Sequence, residues 1–196
     1  MKTLLIIISI AFFNVEAKED ALTKEERKSA IELLKETESD FLSTVDGLSD
    51  QQLNYKPDES TWSVAECIEH ITLSESFIFQ NIKNSLGEYE DFKSEFSDDQ
   101  VIQIITDRSK KGSAPNPIKP SEKFTSVRDA LSEFKSDRKK HILFVKKTDE
   151  NLRSKMNEVP FGKIDAYQYV LLMAGHTRRH TMQIKEVMGH SDFPNT

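Results

Sequence analysis

Apolar residues recur along this chain at three- and four-residue steps, the spacing that gathers them on one face of an α-helix. Thr23 and Glu26 form a T-x-x-E capping box, and Ile31, Leu34, Phe41, Leu42 and Val45 follow at helical spacing until Asp46-Gly47 stops the pattern. A turn region, "LSDQQLNYKPDEST", leads through Pro57 to a second capping box at Ser63 and Glu66. This box opens a helix that carries Cys67, Ile71, Ser74, Ile78 and Ile82 along one stripe. A third helix is expected over about Val127 to Lys147, with Ala130, Leu131, Phe134, Ile142 and Val145 inward. After a loop containing Pro160 and Gly162, a fourth is expected over about Asp165 to Met188, with Gly189 just past its end.

Between the second and third helices the character changes. Gly87 to Phe124 is acidic and polar, with a short apolar run from Val101 to Ile105 that fits a helical turn or two. "KGSAPNPIKP" within it holds three of the chain's six prolines and reads as an irregular loop. No stretch shows convincing β-alternation, and no internal repeat competes. Four amphipathic helices with one long crossover between the second and third predict an all-α protein, a four-helix bundle.

The first seventeen residues stand apart. Lys2 precedes an apolar run from Leu4 to Phe13, and Val15-Glu16-Ala17 offers a cleavage site. The run is too short for a hydrocarbon core about 30 Å thick. Residues 1–17 are therefore expected to be a cleaved signal peptide. Residues 18–196 then form one exported domain, periplasmic or secreted, with no stable membrane association.

Composition narrows the partners. A formal charge of -6 over 196 residues, with 37% hydrophobic and 31% charged, describes a globular chain without the basic stripe that nucleic-acid binding needs. Cys67 is the one cysteine, so no internal disulfide forms, and its place in an apolar stripe reads as a small buried hydrophobe.

The histidines carry the chemistry. The inward stripe of the fourth helix runs Tyr169, Met173, His176, His180, Ile184 and Val187, placing two imidazoles where a bundle ordinarily has Leu or Ile. Buried nitrogens left unpaired cost on the order of 1–3 kcal/mol each. A divalent metal removes that cost by taking one lone pair from each ring, and i, i+4 spacing sets the two rings side by side. His70, two turns into the second helix, is the candidate third ligand.

At this point the residues resemble a known family. "WSVAECIEHI" (Trp62 to Ile71) and "GHTRRHTMQI" (Gly175 to Ile184) are similar to the two signature regions of the DinB-like (DinB/YfiT-like) superfamily of four-helix-bundle metalloenzymes. With "LNYKP" and "MGH", the likeness runs from about Ala21 to Ser191. The resemblance implies an up-down-down-up bundle. It also implies a metal triad of one His on the second helix and an H-x-x-x-H pair on the fourth, which match His70, His176 and His180. The chain departs from the pattern at Arg179, where many members carry a further His, and in its expected export, since the members whose activity is understood are cytosolic.

Other candidates near the site have plainer readings beside the functional one. Glu66 is explained by its capping box. Trp62 reads as a packing residue before the cap. Gln183 lies about 60° off the His176/His180 line, as a support for the ligands or a solvent-facing residue. His141 is on the inner side of the third helix, lining a pocket or simply packed. His190 follows the last helix at the surface. Gly175 costs up to about 1 kcal/mol against Ala in a helix, which suggests room for a close helix or a ligand.

Three imidazoles leave a divalent metal, zinc or nickel, with an open position, the arrangement of catalytic sites. Hydrolysis of a small-molecule ester or amide is the expected activity. The resemblance also implies thiol-dependent S-transferases, but small thiols are chiefly cytosolic. A non-catalytic metal-stabilised binding or stress module is the alternative from a different class, and a homodimer is compatible with either.

Overall fold

The computed structural model describes residues 22–86, 92–110 and 112–195. The expected signal peptide at residues 1–17, and the export that depends on it, lie outside them. Four long helices make the body: α1 (Lys24–Val45), α3 (Val64–Ser85), α5 (Val127–Lys147) and α6 (Ala166–Met188). Two short ones, α2 (Asp50–Leu53) and α4 (Asp98–Thr106), lie between them.

The helices begin where their caps dictate. Thr23, Ser63 and Asp165 each accept the N–H three residues on, while Glu26, Glu66 and Gln168 each accept the cap residue's own N–H. Each box satisfies two donors that a helix start would otherwise leave orphaned.

Side-chain ties across the bundle give the helix directions. Arg27 near the start of α1 donates to the carbonyls of Val145 and Thr148 at the end of α5, so these two run antiparallel. Tyr167 Oη reaches the Glu26 carbonyl and Lys185 pairs with Asp40, so α1 and α6 run parallel. His70 faces His176 and His180 while Asn81 reaches Tyr169, which makes α3 antiparallel to α6. Thr72 donates to the Ala130 carbonyl and Phe79 packs on Phe144, so α3 and α5 are parallel. The order is up-down-down-up. Parallel neighbours cannot be joined by a tight turn, and the polar segment between α3 and α5 is the long crossover they require.

The core is divided. One apolar cluster holds Leu34, Ile78, Val145 and Met173; the other holds Phe41, Ile71, Phe134 and Ile184. Between them each helix contributes buried polar side chains: Thr37, Ser74 and Glu75, Arg138 and His141, then Thr177 and Thr181. Arg138 is fully buried and spends every donor it has. Nε and Nη2 grip the two Glu75 oxygens at 2.7 Å each, Nη1 reaches Leu34 O at 2.7 Å and Thr37 Oγ1 at 2.9 Å, and Nη2 also reaches Thr177 Oγ1 at 2.8 Å. Burial pushes the Glu75 carboxyl up, but the charge of Arg138 and the hydrogen bonds from His141 and Arg138 outweigh it, so the group is held below its ordinary range.

A hairpin departs from the expected absence of strands. Strands β1 (Met156–Val159) and β2 (Gly162–Asp165) pair antiparallel, Val159 opposite Gly162, with Pro160 and Phe161 at the turn. The strands are four residues long, and a buried inward position of β1 is Asn157, which donates to Ser85 Oγ. A pattern this short, with an amide in an apolar slot, leaves no alternation to read.

Helix α4 packs across α6 at Gly175, where a Cβ would stand 2.5 Å from Ile105 Cγ2. The glycine makes room for a close helix rather than for a ligand. Gly175→Ala should gain up to about 1 kcal/mol of helix propensity but lose about 1–3 kcal/mol to overpacking. The expected result is a lower melting temperature, recovered when Ile105 is also trimmed to Ala. A stabilised single variant would show that α4 yields freely.

Candidate metal centre

His176 and His180 project side by side because they lie one turn apart on α6, and His70 meets them from antiparallel α3. His70 Nε2 lies 3.3 Å from His176 Nε2 and 3.1 Å from His180 Nε2. His70 and His180 are buried, at 2% and 8% exposure, while His176 is half-buried. Among the described residues this is the group of three whose donor atoms converge closely enough to hold a metal ion.

Their outer nitrogens fix the tautomers. His70 Nδ1 lies 2.7 Å from the Ile118 carbonyl, an acceptor only, so Nδ1 carries the proton. His180 Nδ1 lies 2.9 Å from Gln183 Oε1, and Arg108 Nη1 donates to that same atom at 3.1 Å. Because a guanidinium can only donate, it orients the amide oxygen toward His180 and puts the proton on Nδ1 there too. Both Nε2 atoms therefore present lone pairs to each other at 3.1 Å, where no hydrogen bond can form.

Nor is a shared proton favoured. Burial pushes His70 below its ordinary pKa, with only the Ile118 bond opposing. Burial, the fields of neighbouring triad imidazoles and Arg179 push His176 and His180 well below theirs, Gln183 opposing at His180. In metal-free protein the sign follows directly. Unfolded imidazoles take up protons below about pH 6.5 while the folded ones resist, so stability present above that pH is lost as the pH falls. Chelator-treated protein should unfold at lower urea at pH 5.5 than at pH 7.5. Saturating zinc at pH 7.5 should raise the midpoint further.

A cavity of about 740 Å³ opens over the triad, with Trp62, Ile105, Arg108, Ile118, Arg179 and Glu186 in its walls. The crossover roofs it and is tied down beside each ligand helix. Arg179, next to His180, donates to the carbonyls of Ile105, Asp107 and Lys110. Glu69, next to His70, accepts the backbone N–H groups of Ser121, Glu122 and Lys123 at 3.0, 3.2 and 2.9 Å. Glu122 takes a φ of 58°, and the left-handed bend helps turn these three donors onto one carboxylate. The proline-rich loop expected to be irregular contains a single 3-10 turn, Asn116–Ile118, which ends at the carbonyl that holds His70.

The other candidates sort clearly. Gln183 supports His180 rather than facing solvent. Arg179 braces the crossover, the part a histidine at that position could not play with three carbonyls at once. Glu66 caps α3 and pairs with Lys56 at 2.9 Å, away from the cavity wall. His141 bonds Glu75 at 2.8 Å and stacks on Phe79, in the buried polar layer rather than in the cavity. Cys67 is buried and its thiol is pushed up to about 12 by burial, which leaves no thiolate nucleophile. His190 is exposed, beside the Tyr55 hydroxyl at 2.7 Å.

Two participants go beyond what the sequence reading assigned. Trp62 is more than a packing residue: its ring lies 4.8 Å from His70 and stacks 6.2 Å from His180, walling the ligands. Its position just before the Ser63 cap, two turns ahead of His70, was the available signal. Arg108 lies in the crossover, and nothing in its local sequence ties it to Gln183.

An up-down-down-up bundle with three converging imidazoles from its second and last long helices defines a histidine-triad helical protein of the metal-binding type. The sequence matches the DinB superfamily over residues 33–184, more than half of the chain, and the chain belongs to that superfamily. It is 23% identical over 142 residues to YuaE, an uncharacterised protein of Bacillus subtilis (strain 168), covering 72% of this chain and 86% of that one. Its fold is similar to that of YfiT from Bacillus subtilis, described as a probable metal-dependent hydrolase with an unusual four-helix bundle topology. The TM-score is 0.59 at 18% identity, covering 86% of this chain and 89% of that one.

Proposed function

We propose that His70, His176 and His180 hold a divalent metal through Nε2 and that the protein is a metal-dependent hydrolase of a small molecule. The observation that carries the metal is the lone-pair contact: two neutral Nε2 acceptors 3.1 Å apart, their protons committed outward to Ile118 and Gln183. Two nitrogens each about 2.0–2.1 Å from a tetrahedral zinc would stand about 3.3 Å apart, and the separations found are 3.1 and 3.3 Å. The donor set fits.

A divalent metal with three imidazole ligands supplies Lewis acidity and a water that ionises near neutral pH. The protein's own residues do the rest. Ile118 and Gln183 hold two rings in the ligating tautomer, and Arg108 holds Gln183. Trp62 and the crossover shelter the triad from bulk water on one side and leave the cavity open on the other. Among the described residues the cavity wall holds no cysteine, and the Cys67 thiol lies buried outside it.

The test is elemental analysis of the purified protein followed by assay on small esters and amides. The expected result is one divalent metal per chain and hydrolysis that disappears with a chelator and returns with metal. Metal without turnover on any ester or amide would favour a binding module, and turnover only with an added thiol would favour S-transfer.

A further inference from the structure

The cavity wall carries an imbalance of charge. Its cationic residues are Arg108, Lys119 and Arg179, and its carboxylate, among the described residues, is Glu186. Arg108 is matched: Nε and Nη2 take the two Glu186 oxygens at 3.0 and 2.5 Å. Arg179 takes part in no ion pair among the described residues. Its acceptors are the backbone carbonyls of Ile105, Asp107 and Lys110, which satisfy hydrogens without supplying charge. The Asp107 carboxylate is itself engaged by the N–H and hydroxyl of Ser109 at 2.9 and 2.6 Å. Lys119 is exposed at the rim and takes part in no ion pair among the described residues.

With Arg108 and Glu186 paired, Arg179 and Lys119 are the cationic side chains left without an ion pair in the described cavity wall around the imidazole triad. A cleft lined by one sign of charge concentrates the opposite sign. The carbonyls use three of Arg179's five donors, so among the described residues Nε–H and one Nη2–H have no acceptor, and a guanidinium's planar fork matches two oxygens of a carboxylate. Trp62, Ile105 and Val187 offer apolar wall beside them.

We propose that the substrate is a small organic acid, its carboxylate held by Arg179 with Lys119 at the rim and its reacting bond at the histidine triad. The proposal rests on the metal-site reading above. Arg179 is thus a specificity residue as well as a brace for the crossover.

The test uses two hydroxamates that differ only at the far end, one ending in a carboxylate and one in a carboxamide. Each is titrated calorimetrically into zinc-loaded protein. The carboxylate should bind roughly tenfold or more tightly, and the preference should shrink as salt is raised. It should vanish in Arg179→Gln, survive in part in Arg179→Lys, and shrink in Lys119→Gln, which disturbs no tie to the crossover. Equal affinity for the two probes in the unaltered protein would overturn the proposal and leave the metal site standing, as would a preference undiminished in both Gln variants. Failure of both hydroxamates to bind would overturn the metal site and this inference with it.

Discussion

His176→Ala and His180→Ala should each abolish stoichiometric metal binding at micromolar protein while the bundle stays folded. Each removes one of three converging nitrogens, and two imidazoles do not hold a divalent ion against a chelator. The folded state should survive because the two apolar clusters on either side of the polar layer contain neither residue. Gln183→Ala supplies the comparison. It leaves all three ligands in place and removes only the acceptor that fixes the His180 tautomer. Loss of such a partner typically costs about 10–100-fold in metal affinity, so Gln183→Ala should fall between the unaltered protein and the ligand variants. Competition with a fluorescent chelator measures the order, and circular dichroism checks the fold. Full metal content in both His variants would reassign the pair to packing.

The triad was legible because its signal is local and costly. Two histidines at i, i+4 on a stripe otherwise filled by Tyr169, Met173, Ile184 and Val187 need a reason; His70, two turns into the second helix, was the candidate third ligand, and the resemblance of two short motifs then implied the same residue. Of the long helices, α1 and α3 were legible through capping boxes whose two residues lie three apart in sequence, and α5 and α6 through their apolar spacing. What could not be read depends on contacts distant in sequence. Ile118 reaches His70 by a backbone carbonyl, which has no residue signature, and Arg108 meets Gln183 from 75 positions away. Arg138 sits on a stripe position of α5 between Phe134 and Val145, where a charged side chain looks like an interruption of the pattern. Only its partners on three other helices explain its burial.

Arg138→Met, made with Glu75 intact, should be the most destabilising single change in the bundle, at roughly 3–5 kcal/mol. The side chain lost is of similar length and apolar, so little cavity forms. The cost comes from Glu75, left as a carboxylate at 1% exposure with the His141 ring as its remaining hydrogen-bond partner. Thr37, Thr177 and the Leu34 carbonyl lose a donor at the same time. Glu75→Leu should cost a similar amount by stranding the guanidinium. The double variant should cost much less than the sum, because the uncompensated charges are removed together and only neutral partners stay unpaired. Urea unfolding of the four proteins gives this coupling directly, and additive single effects would show that the pair is not the linchpin its geometry describes. The layer also reaches the metal site through the chain: Thr177 follows His176 on α6, and Glu75 lies five residues beyond His70 on α3. A bundle that loses the Arg138 clamp can rotate α6 against α3, so the metal affinity of Arg138→Met should fall even at temperatures where it remains folded.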